Sequence, residues 1–316
     1  MENKIKDSVI LLSKPKGSFI KSNLQNYFNI LIFGKNNEKN KEILDYIISN
    51  VKKLKFIFLY HKEELISDWV FKNKCKYNYK IGINEPIKEK FTVNEIMNSN
   101  FIGNWCGEFT KKRLKLDKKF HTLTLISYSN NKSWDKIKMS YEKREISDKY
   151  ILSLGNNRRD YNCLIKALNN INIKCIIITK DEIKRKIKNN NDRIEIMSII
   201  DKKELYNMIG NSLFCVLPID SGVKQGFGLT SVNEFSYLKK PFIISRDTGL
   251  DYYLQNDIFG ISYKASDEKD LEIKIRYLLK NKKYMEYNDK INKFYEETPD
   301  YLTDDFFIKT VFSNLE

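Results

Sequence analysis

Short continuous apolar runs alternate along this chain with stretches in which apolar residues recur every three or four positions. The continuous runs predict strands buried on both faces of a sheet, and the periodic stretches predict helices. In the second half, the predicted strands are 150–155, 174–179, 213–218 and 241–245. The predicted helices are 161–168, 201–209, 232–239 and 271–279. This alternation is typical of a parallel, doubly wound sheet, which binds ligands beyond the carboxyl ends of its strands.

The first half of the chain shows the same alternation less clearly. Its predicted strands are 8–13, 29–34 and 55–61, with a helix at 40–54 between the last two. Because a strand, a helix and a strand in this order indicate a right-handed crossover, we expect a second parallel sheet. Further elements are a short strand at 101–102, a basic helix at 108–114 and a polar linker at 130–148.

These elements predict an α/β fold with two Rossmann-like domains, each a parallel sheet with helices on both faces. The predicted domains are 1–148 and 149–300. A last helix at 301–316 is expected to pack back on the body.

The chain is strongly basic. Its 316 residues carry 56 Lys and Arg against 41 Asp and Glu, a formal net charge of +15. Such a charge attracts polyanions such as nucleic acid, anionic lipid headgroups or phosphorylated substrates. Lysine is spread along the whole chain without a basic tail, however, so a plain lysine-rich surface accounts for the same number. The charge alone selects no function.

Cysteine usage and the apolar runs predict a reduced, cytoplasmic protein. The five cysteines show neither a CxxC pair nor regular spacing, so no zinc site or disulfide framework is readable. The apolar stretch near the N-terminus is too short for a signal peptide. The longest unbroken apolar run, 213–219, is far below the roughly 20 residues that span a bilayer. Peripheral contact with an anionic membrane is compatible with these features.

A glycine-rich loop, QGFGLTSVNE, lies between the predicted strand 213–218 and the next helix. Glycines such as Gly228 allow backbone to approach a ligand closely, and a helix start presents unpaired N–H groups with partial positive charge. Thr230 and Ser231 add hydroxyl groups, so the loop predicts a diphosphate site. The alternative is a capping box, in which Glu234 bonds back to the Ser231 backbone and binds no ligand.

A second polar loop follows the predicted strand 150–155 and contains Arg158 and Arg159. Arginine binds phosphate oxygens in a bidentate geometry, so either side chain is suited to hold a diphosphate leaving group. The alternative is a solvated arginine pair, with Asp160 acting as a charge at the start of the next helix.

Four segments in a fixed order resemble a known family. They are LGNNRRDYNCLIKAL, DKKELYNMIGNSLFCVLPI, GFGLTSVNEFSYLKKPFIIS and DTGLDYYLQNDIFGISYKASDEKDLEIKI, all between 150 and about 279. Together they are similar to the donor-binding domain of GT-B glycosyltransferases in the family 4 style (glycosyl transferases group 1). In the first half, only NFIGNWCGEFTKKRL is similar to a segment of these enzymes.

The resemblance implies two Rossmann-like domains that face a cleft, and a glycosyltransferase activity. A hexose would pass from a nucleoside diphosphate sugar to a glycan, lipid-linked or other hydroxyl acceptor, with retention of anomeric configuration. No cofactor is implied. No metal is implied either, which agrees with the lack of a DxD motif in a position to bind a metal–diphosphate.

The resemblance also implies roles for the two arginines. Arg159 falls where the family has its phosphate-binding lysine, and stabilisation of the departing diphosphate makes it the expected catalytic residue. The arginine that usually follows the strand glycine is replaced by Asn156, so Arg158 is expected to substitute for it.

The resemblance implies further roles for residues of the glycine-rich segment QGFGLTSVNE. Gly228, Thr230 and Ser231 match the segment that contacts the diphosphate and faces the sugar. Glu234 matches the glutamate that accepts hydrogen bonds from the ribose hydroxyls.

Two expectations concern residues with weaker family matches. The first glutamate of the family's E-x7-E pair is missing, and Gln225 or Asp220 is nearest to its place and to the sugar-hydroxyl contact. His61, at the end of the predicted strand 55–61, is expected to help position an acceptor. The alternative is an ordinary strand-end histidine.

Two other classes of function follow from the same sequence. The net charge fits a nucleic-acid-binding protein or a DNA-modifying transferase, which predicts salt-sensitive binding to DNA. The missing glutamate fits a degenerate GT-B domain that binds a sugar nucleotide without turnover.

Overall fold

The structure is a computed structural model, and the chain divides into two units by its internal contacts, residues 1–130 with 303–316 and residues 131–302. The residues that the structure describes are 9–13, 29–33, 39–49, 51–53, 56–59, 64–73, 76–77, 79–84, 101–104, 121–124, 149–198, 200–222, 227–246, 248–299 and 301.

The described part of the first unit contains strands that pair only in parallel. They are β1 (Val9–Ser13), β2 (Asn29–Phe33), β3 (Phe56–Leu59), β4 (Lys80–Asn84), β5 (Phe101–Asn104) and β6 (His121–Thr124). β1 pairs with β2, and β3 to β6 form one sheet in sequence order. The helices are α1 (Lys39–Ser49) and α2 (Glu64–Asn73), with a 3₁₀ turn at Val51–Lys53.

The helices of the first unit bury one apolar face each. Ile47 of α1 and Val70 of α2 are fully buried, while Ile48 of α1 is exposed. Tyr79, in the connection from α2 to β4, holds this connection against α2, because its hydroxyl donates to the Val70 carbonyl at 2.5 Å.

The second unit is built on one six-stranded parallel sheet. Its strands are β7 (Tyr150–Leu154), β8 (Lys174–Thr179), β9 (Ile194–Ser198), β10 (Cys215–Leu217), β11 (Phe242–Arg246) and β12 (Gly260–Lys264). The helices are α3 (Tyr161–Leu168), α4 (Asp181–Lys184), α5 (Lys202–Asn211), α6 (Leu229–Tyr237), α7 (Glu268–Leu279) and α8 (Lys283–Glu297). The 3₁₀ turns are Asp251–Leu254 and Lys280–Lys282.

The strand order of this sheet is β12-β11-β10-β7-β8-β9. From β7 the chain first adds β8 and β9 on one side and then returns to add β10, β11 and β12 on the other. The direction therefore reverses between the neighbours β7 and β10. In doubly wound sheets, the crevice beyond the carboxyl ends of the strands at such a point is where ligands bind.

The core of the second unit explains why its strands could be identified from sequence. The central strands β7, β8 and β10 are apolar along almost their whole length and are buried on both faces, as expected for a parallel sheet covered by helices. Helices α3 and α7 complete this core with one apolar face each, through residues such as Leu164 and Ile275. Cys163, Cys175 and Cys215 are buried free thiols.

The predicted α/β fold with parallel sheets is confirmed. Helix 161–168 and strand 174–179 match α3 and β8 residue for residue, whereas α6 begins three residues before the predicted start at 232. In the second unit, the sequence patterns missed α4, β9, β12 and α8. The predicted helix 108–114, the linker 130–148 and the tail helix 301–316 lie, apart from Tyr301, outside the described residues. The predicted domain boundaries remain predictions. No described helix is both long and apolar enough to cross a membrane.

Candidate functional site

Two loops are joined where β7 and β10 end side by side. The loop after β7 leads into α3, and the loop after β10 leads towards α6. Arg159 and Ile219 form an antiparallel bridge between them, and the Asp160 N–H donates to the Pro218 carbonyl at 2.8 Å. The arginine loop is therefore fixed against the carboxyl end of the neighbouring strand.

The Arg159 guanidinium is held by three hydrogen bonds to uncharged acceptors. Nε donates to the Leu154 carbonyl at 3.1 Å, Nη1 to the Asn157 carbonyl at 2.8 Å, and Nη2 to Ser231 Oγ at 3.3 Å. A guanidinium has five N–H donors. Within the described part of the chain, one N–H on each terminal nitrogen thus remains for a ligand.

Within the part of the chain that the structure describes, no acidic side chain neutralises the charge of Arg159. Its side chain is half-buried, and among the described residues no carboxylate forms an ion pair with it. Burial lowers the pKa of this guanidinium to about 10, which keeps it charged at neutral pH. A partly desolvated cation without a counter-ion is unfavourable, and an anionic ligand relieves that cost.

Two glycines leave the space that the guanidinium occupies. Gly155, at the end of β7, has φ +126°, and a Cβ built there would lie 2.4 Å from Arg159 Nη2. Gly228, before α6, has φ +102°, and its Cβ would lie 3.4 Å from the same atom and 2.8 Å from Leu217 Cδ2. At Gly155 the backbone approaches the arginine more closely than a residue with a Cβ allows, whereas at Gly228 the close neighbour is Leu217.

The backbone carbonyl of Gly155, directly after β7, accepts hydrogen bonds from two side chains that were not among the predicted site residues. The hydroxyls of Tyr161 and Thr179 donate to the Gly155 carbonyl at 2.6 Å and 2.9 Å. Asn156 Oδ1 accepts from the Lys180 N–H at 2.8 Å and ties this loop to the end of β8. The available signal was an asparagine directly after a strand-ending glycine, which is typical of a turn.

The N-terminus of helix α6 lies next to the Arg159 side chain. Its N-cap is Gly228, and the first intrahelical bond runs from the Val232 N–H to the Gly228 carbonyl at 3.0 Å. The N–H groups of Leu229, Thr230 and Ser231 therefore precede the helical ladder and lie at the positive end of the helix dipole. With the adjacent guanidinium, they form an arrangement suited to a phosphate or diphosphate.

The capping-box interpretation of Ser231 and Glu234 is wrong. Ser231 is the third residue of α6 and lies past the N-cap, so its side chain cannot cap this helix. The Ser231 side chain is buried, and its hydroxyl accepts the bond from Arg159. Thr230, by contrast, is exposed.

Glu234 lies one helical turn further into α6 and is only 8% exposed. Burial raises the pKa of its carboxyl group to about 7, against a smaller opposing effect of the Lys202 charge. No described residue donates a hydrogen bond to this carboxyl group. A buried carboxyl without a donor is an acceptor available to a ligand that carries hydroxyl groups.

The Glu234 pKa predicts how the stability of the ligand-free protein depends on pH. Between its ordinary pKa of 4.5 and the folded-state pKa of about 7, the folded protein retains a proton that the unfolded chain has lost. The contribution of this residue to the free energy of unfolding is therefore full below about pH 4.5 and is lost as pH rises to about 7. Denaturant titrations at several pH values measure it.

Glu234→Gln should be relatively more stable above pH 7 and should lack this part of the pH dependence. Glu204→Gln, on an exposed position of α5, is the matched control for the loss of one carboxyl group. A Glu234→Gln profile parallel to that of the wild type contradicts the raised pKa.

The structure separates the two arginines of the predicted site. Arg158 has φ +57° and is exposed, and its Nη1 lies 3.4 Å from the Asp220 carboxylate. The solvated alternative therefore describes Arg158 but not Arg159. Asp160 caps α3, as that alternative also expected, because Oδ1 accepts from the Cys163 N–H at 3.0 Å.

Two predicted site residues, Gln225 and His61, lie outside the described residues. In the ranges that the structure covers, no three metal-ligating side chains cluster. The expectation of a metal-free site remains a prediction.

The second half of the chain matches a model of a known protein family. Residues 136–296, just over half of the chain, match the family described as Glycosyl transferases group 1. No curated protein matches the chain.

Comparison with solved structures gives matches over almost the whole chain. A glycosyltransferase from Rickettsia africae has a TM-score of 0.62 at 13% identity, with 98% of each chain covered. The Anabaena protein HepE in complex with UDP has a TM-score of 0.61 at 9% identity, covering 98% of this chain and 99% of that one. An E. coli trehalose-6-phosphate structure bound with UDP-2-fluoro glucose has a TM-score of 0.61 at 9% identity, with 98% of each covered. At these identities the likeness shows the fold.

Proposed function

The chain belongs to the glycosyl transferases group 1 family, and we propose that it transfers a hexose from a nucleoside diphosphate sugar to a hydroxyl acceptor. A uridine nucleotide is the first candidate for the donor, because two of the structural relatives hold UDP or a UDP-sugar. The acceptor is a glycan, a lipid-linked sugar or another hydroxyl compound. The observation that carries the proposal is the half-buried Arg159 guanidinium, which has no described carboxylate partner and lies at the start of α6.

The donor diphosphate fits between Arg159 and α6. The two remaining N–H groups of Arg159, one on each terminal nitrogen, suit two oxygens of one phosphate. The N–H groups of Thr230 and Ser231 supply further donors from the positive end of the helix. Arg158 is proposed only for a secondary role, since Asp220 already pairs with its charge.

The ribose of the donor fits against Glu234. This residue follows the helix start by one turn, which suits a nucleotide whose diphosphate lies at the N-terminus of α6. Hydroxyl groups that donate to a carboxylate stabilise its ionised form. Ribose binding is therefore expected to lower the Glu234 pKa from its value of about 7 in the free protein.

Catalysis is proposed to come from stabilisation of the leaving diphosphate. When the bond between the sugar and the diphosphate breaks, negative charge grows on the diphosphate oxygens. Arg159 and the α6 amides are fixed before the reaction, so they stabilise this charge without reorganising. These positive groups give the reaction a metal-independent route, and retention of configuration is proposed from the family likeness.

A screen of nucleotide sugars tests the proposed donor class. A ligand at 100 times its dissociation constant stabilises a protein by about 2.7 kcal/mol, so the matching donor should raise the melting temperature clearly. UDP-, GDP- and ADP-sugars are compared at equal concentration, with the free sugars as controls. We expect the UDP-sugars to give the largest shift. If no nucleotide sugar shifts the transition, the donor site is wrong.

Two further assays address the other classes of function. Release of free nucleotide from the stabilising donor, in the presence or absence of an acceptor, distinguishes an enzyme from a degenerate domain that only binds. Filter binding to DNA across salt concentrations tests the nucleic-acid alternative, which requires affinity that falls steeply as salt rises.

A further inference from the structure

Where the backbone pairing of β10 with β11 ends, a buried serine hydroxyl supplies the next hydrogen bonds. β10 and β11 pair up to Leu217 and Ile244, and the following residue, Pro218, has no N–H to donate. One residue later, the Ile219 N–H donates to Ser245 Oγ at 2.7 Å, and Ser245 Oγ donates to the Ile219 carbonyl at 2.8 Å. One side chain thus holds both backbone polar groups of Ile219.

Ser245 Oγ has a third neighbour, the Tyr263 hydroxyl at 3.0 Å. A serine hydroxyl carries one proton and two lone pairs, so Oγ accepts from the Ile219 N–H and shares its proton between the Ile219 carbonyl and the Tyr263 oxygen. Ile219, Ser245 and Tyr263 are all 0% exposed, so water does not replace these bonds when one is removed.

On its other side, Ile219 contacts both parts of the proposed diphosphate site. Its backbone pairs with Arg159 in an antiparallel bridge, whose hydrogen bonds run through the flanking residues: the Asp160 N–H donates to the Pro218 carbonyl at 2.8 Å, and the Asp220 N–H donates to the Arg158 carbonyl at 3.1 Å. Its side chain lies against the N-cap of α6, since a Cβ built on Gly228 would be 3.3 Å from Ile219 Cδ1. The segment around Ile219 therefore holds the backbone on both sides of Arg159 beside the start of α6.

We propose that Ser245 is a positioning residue for sugar transfer: its hydroxyl fixes Ile219, and Ile219 fixes Arg159 against the N-terminus of α6. Ser245 does not contact the donor. The inference rests on the proposed function, because Arg159 must bind the diphosphate for its position to matter.

Ser245→Ala tests the proposal, with the dissociation constant of UDP measured by calorimetry and corrected for the folded fraction. We expect about tenfold weaker binding, as for the loss of about 1.4 kcal/mol of charge-assisted hydrogen bonding. Ser153→Ala is the matched control, because Ser153 is a fully buried strand serine whose hydroxyl has no partner among the described residues. It should bind UDP as the wild type does. Ser245→Thr keeps the hydroxyl and should restore most of the affinity.

A double-mutant cycle separates positioning from general support of the fold. In an Arg159→Ala background, Ser245→Ala should weaken UDP binding by less than twofold further, because it acts through Arg159. A full tenfold additional loss would overturn the proposal, as would wild-type affinity in Ser245→Ala. If Ser245→Ala does not fold, Ser245→Cys, with a weaker donor and acceptor, should show a smaller loss of the same kind, and wild-type affinity in it would also overturn the proposal.

Different results would contradict the proposed function and the role of Ser245. If Arg159→Ala itself binds UDP as the wild type does, the proposed function is wrong. If Arg159→Ala binds weakly and Ser245→Ala binds normally, only the role of Ser245 is wrong.

Discussion

Arg159→Ala should lower the turnover of the nucleoside diphosphate sugar on the order of 10²–10³-fold, which corresponds to about 2–4 kcal/mol at the transition state. The guanidinium is fixed by Leu154, Asn157 and Ser231 before any ligand arrives, so its remaining N–H groups need no reorganisation. Negative charge on the leaving diphosphate is larger in the transition state than in the bound donor. The loss should therefore appear more in kcat than in KM.

Two further variants test whether the loss of turnover is specific to the Arg159 guanidinium. Arg193→Ala removes an exposed arginine from the opposite, amino edge of the same sheet, and it should keep wild-type turnover. Arg159→Lys keeps the charge but loses the planar fork, so it should recover only part of the rate. Steady-state kinetics with the donor found in the nucleotide screen measure all three variants. Equal turnover in Arg159→Ala and Arg193→Ala would refute the assignment of Arg159.

Gly155→Ala should abolish most of the activity although it removes no polar group from the site. The new methyl group would lie 2.4 Å from Arg159 Nη2, a distance at which one of the two must move. The arginine is held by three hydrogen bonds, so its displacement breaks the arrangement with α6. We expect turnover to fall on the order of 10²-fold, close to the loss in Arg159→Ala. The positive φ of +126° should add roughly 1–3 kcal/mol of destabilisation.

Gly222→Ala is the control for the backbone part of this effect. Gly222 also has a positive φ, +81°, but a Cβ built there meets no described atom within 4 Å. It should therefore lose stability and keep its turnover per folded molecule. Kinetics and thermal unfolding of both variants test the prediction together. If Gly155→Ala loses stability only, as Gly222→Ala does, the guanidinium does not depend on the space at Gly155.

The sequence predicted the second unit well because its elements carry strong signals. Strands such as β8 are continuously apolar and buried on both faces, and α3 shows a clear apolar face. The first unit gave weaker predictions, and β4, β6 and α2 were missed there. The start of α6 was placed too late because it depends on Gly228 in a left-handed conformation, which a sequence pattern does not reveal.

The candidate site was predicted as two loops that converge, and the structure brings Arg159 and Ser231 to 3.3 Å. The residue types alone left open which of the two adjacent arginines turns inward, and only the family resemblance favoured Arg159. Tertiary contacts decide the choice, because Arg158 pairs with Asp220 and Arg159 occupies the space beside Gly155. The role of Ser245 could not be predicted either, because it depends on a contact with Ile219, which is 26 residues away in the chain.

A crystal structure of the protein with UDP would show directly where the diphosphate binds. We expect diphosphate oxygens within about 2.7–3.2 Å of the Arg159 terminal nitrogens and of the N–H groups at Thr230 and Ser231, with the ribose hydroxyls at Glu234. UDP bound at another place on the second unit, with Arg159 contacting only its protein acceptors, would contradict this prediction.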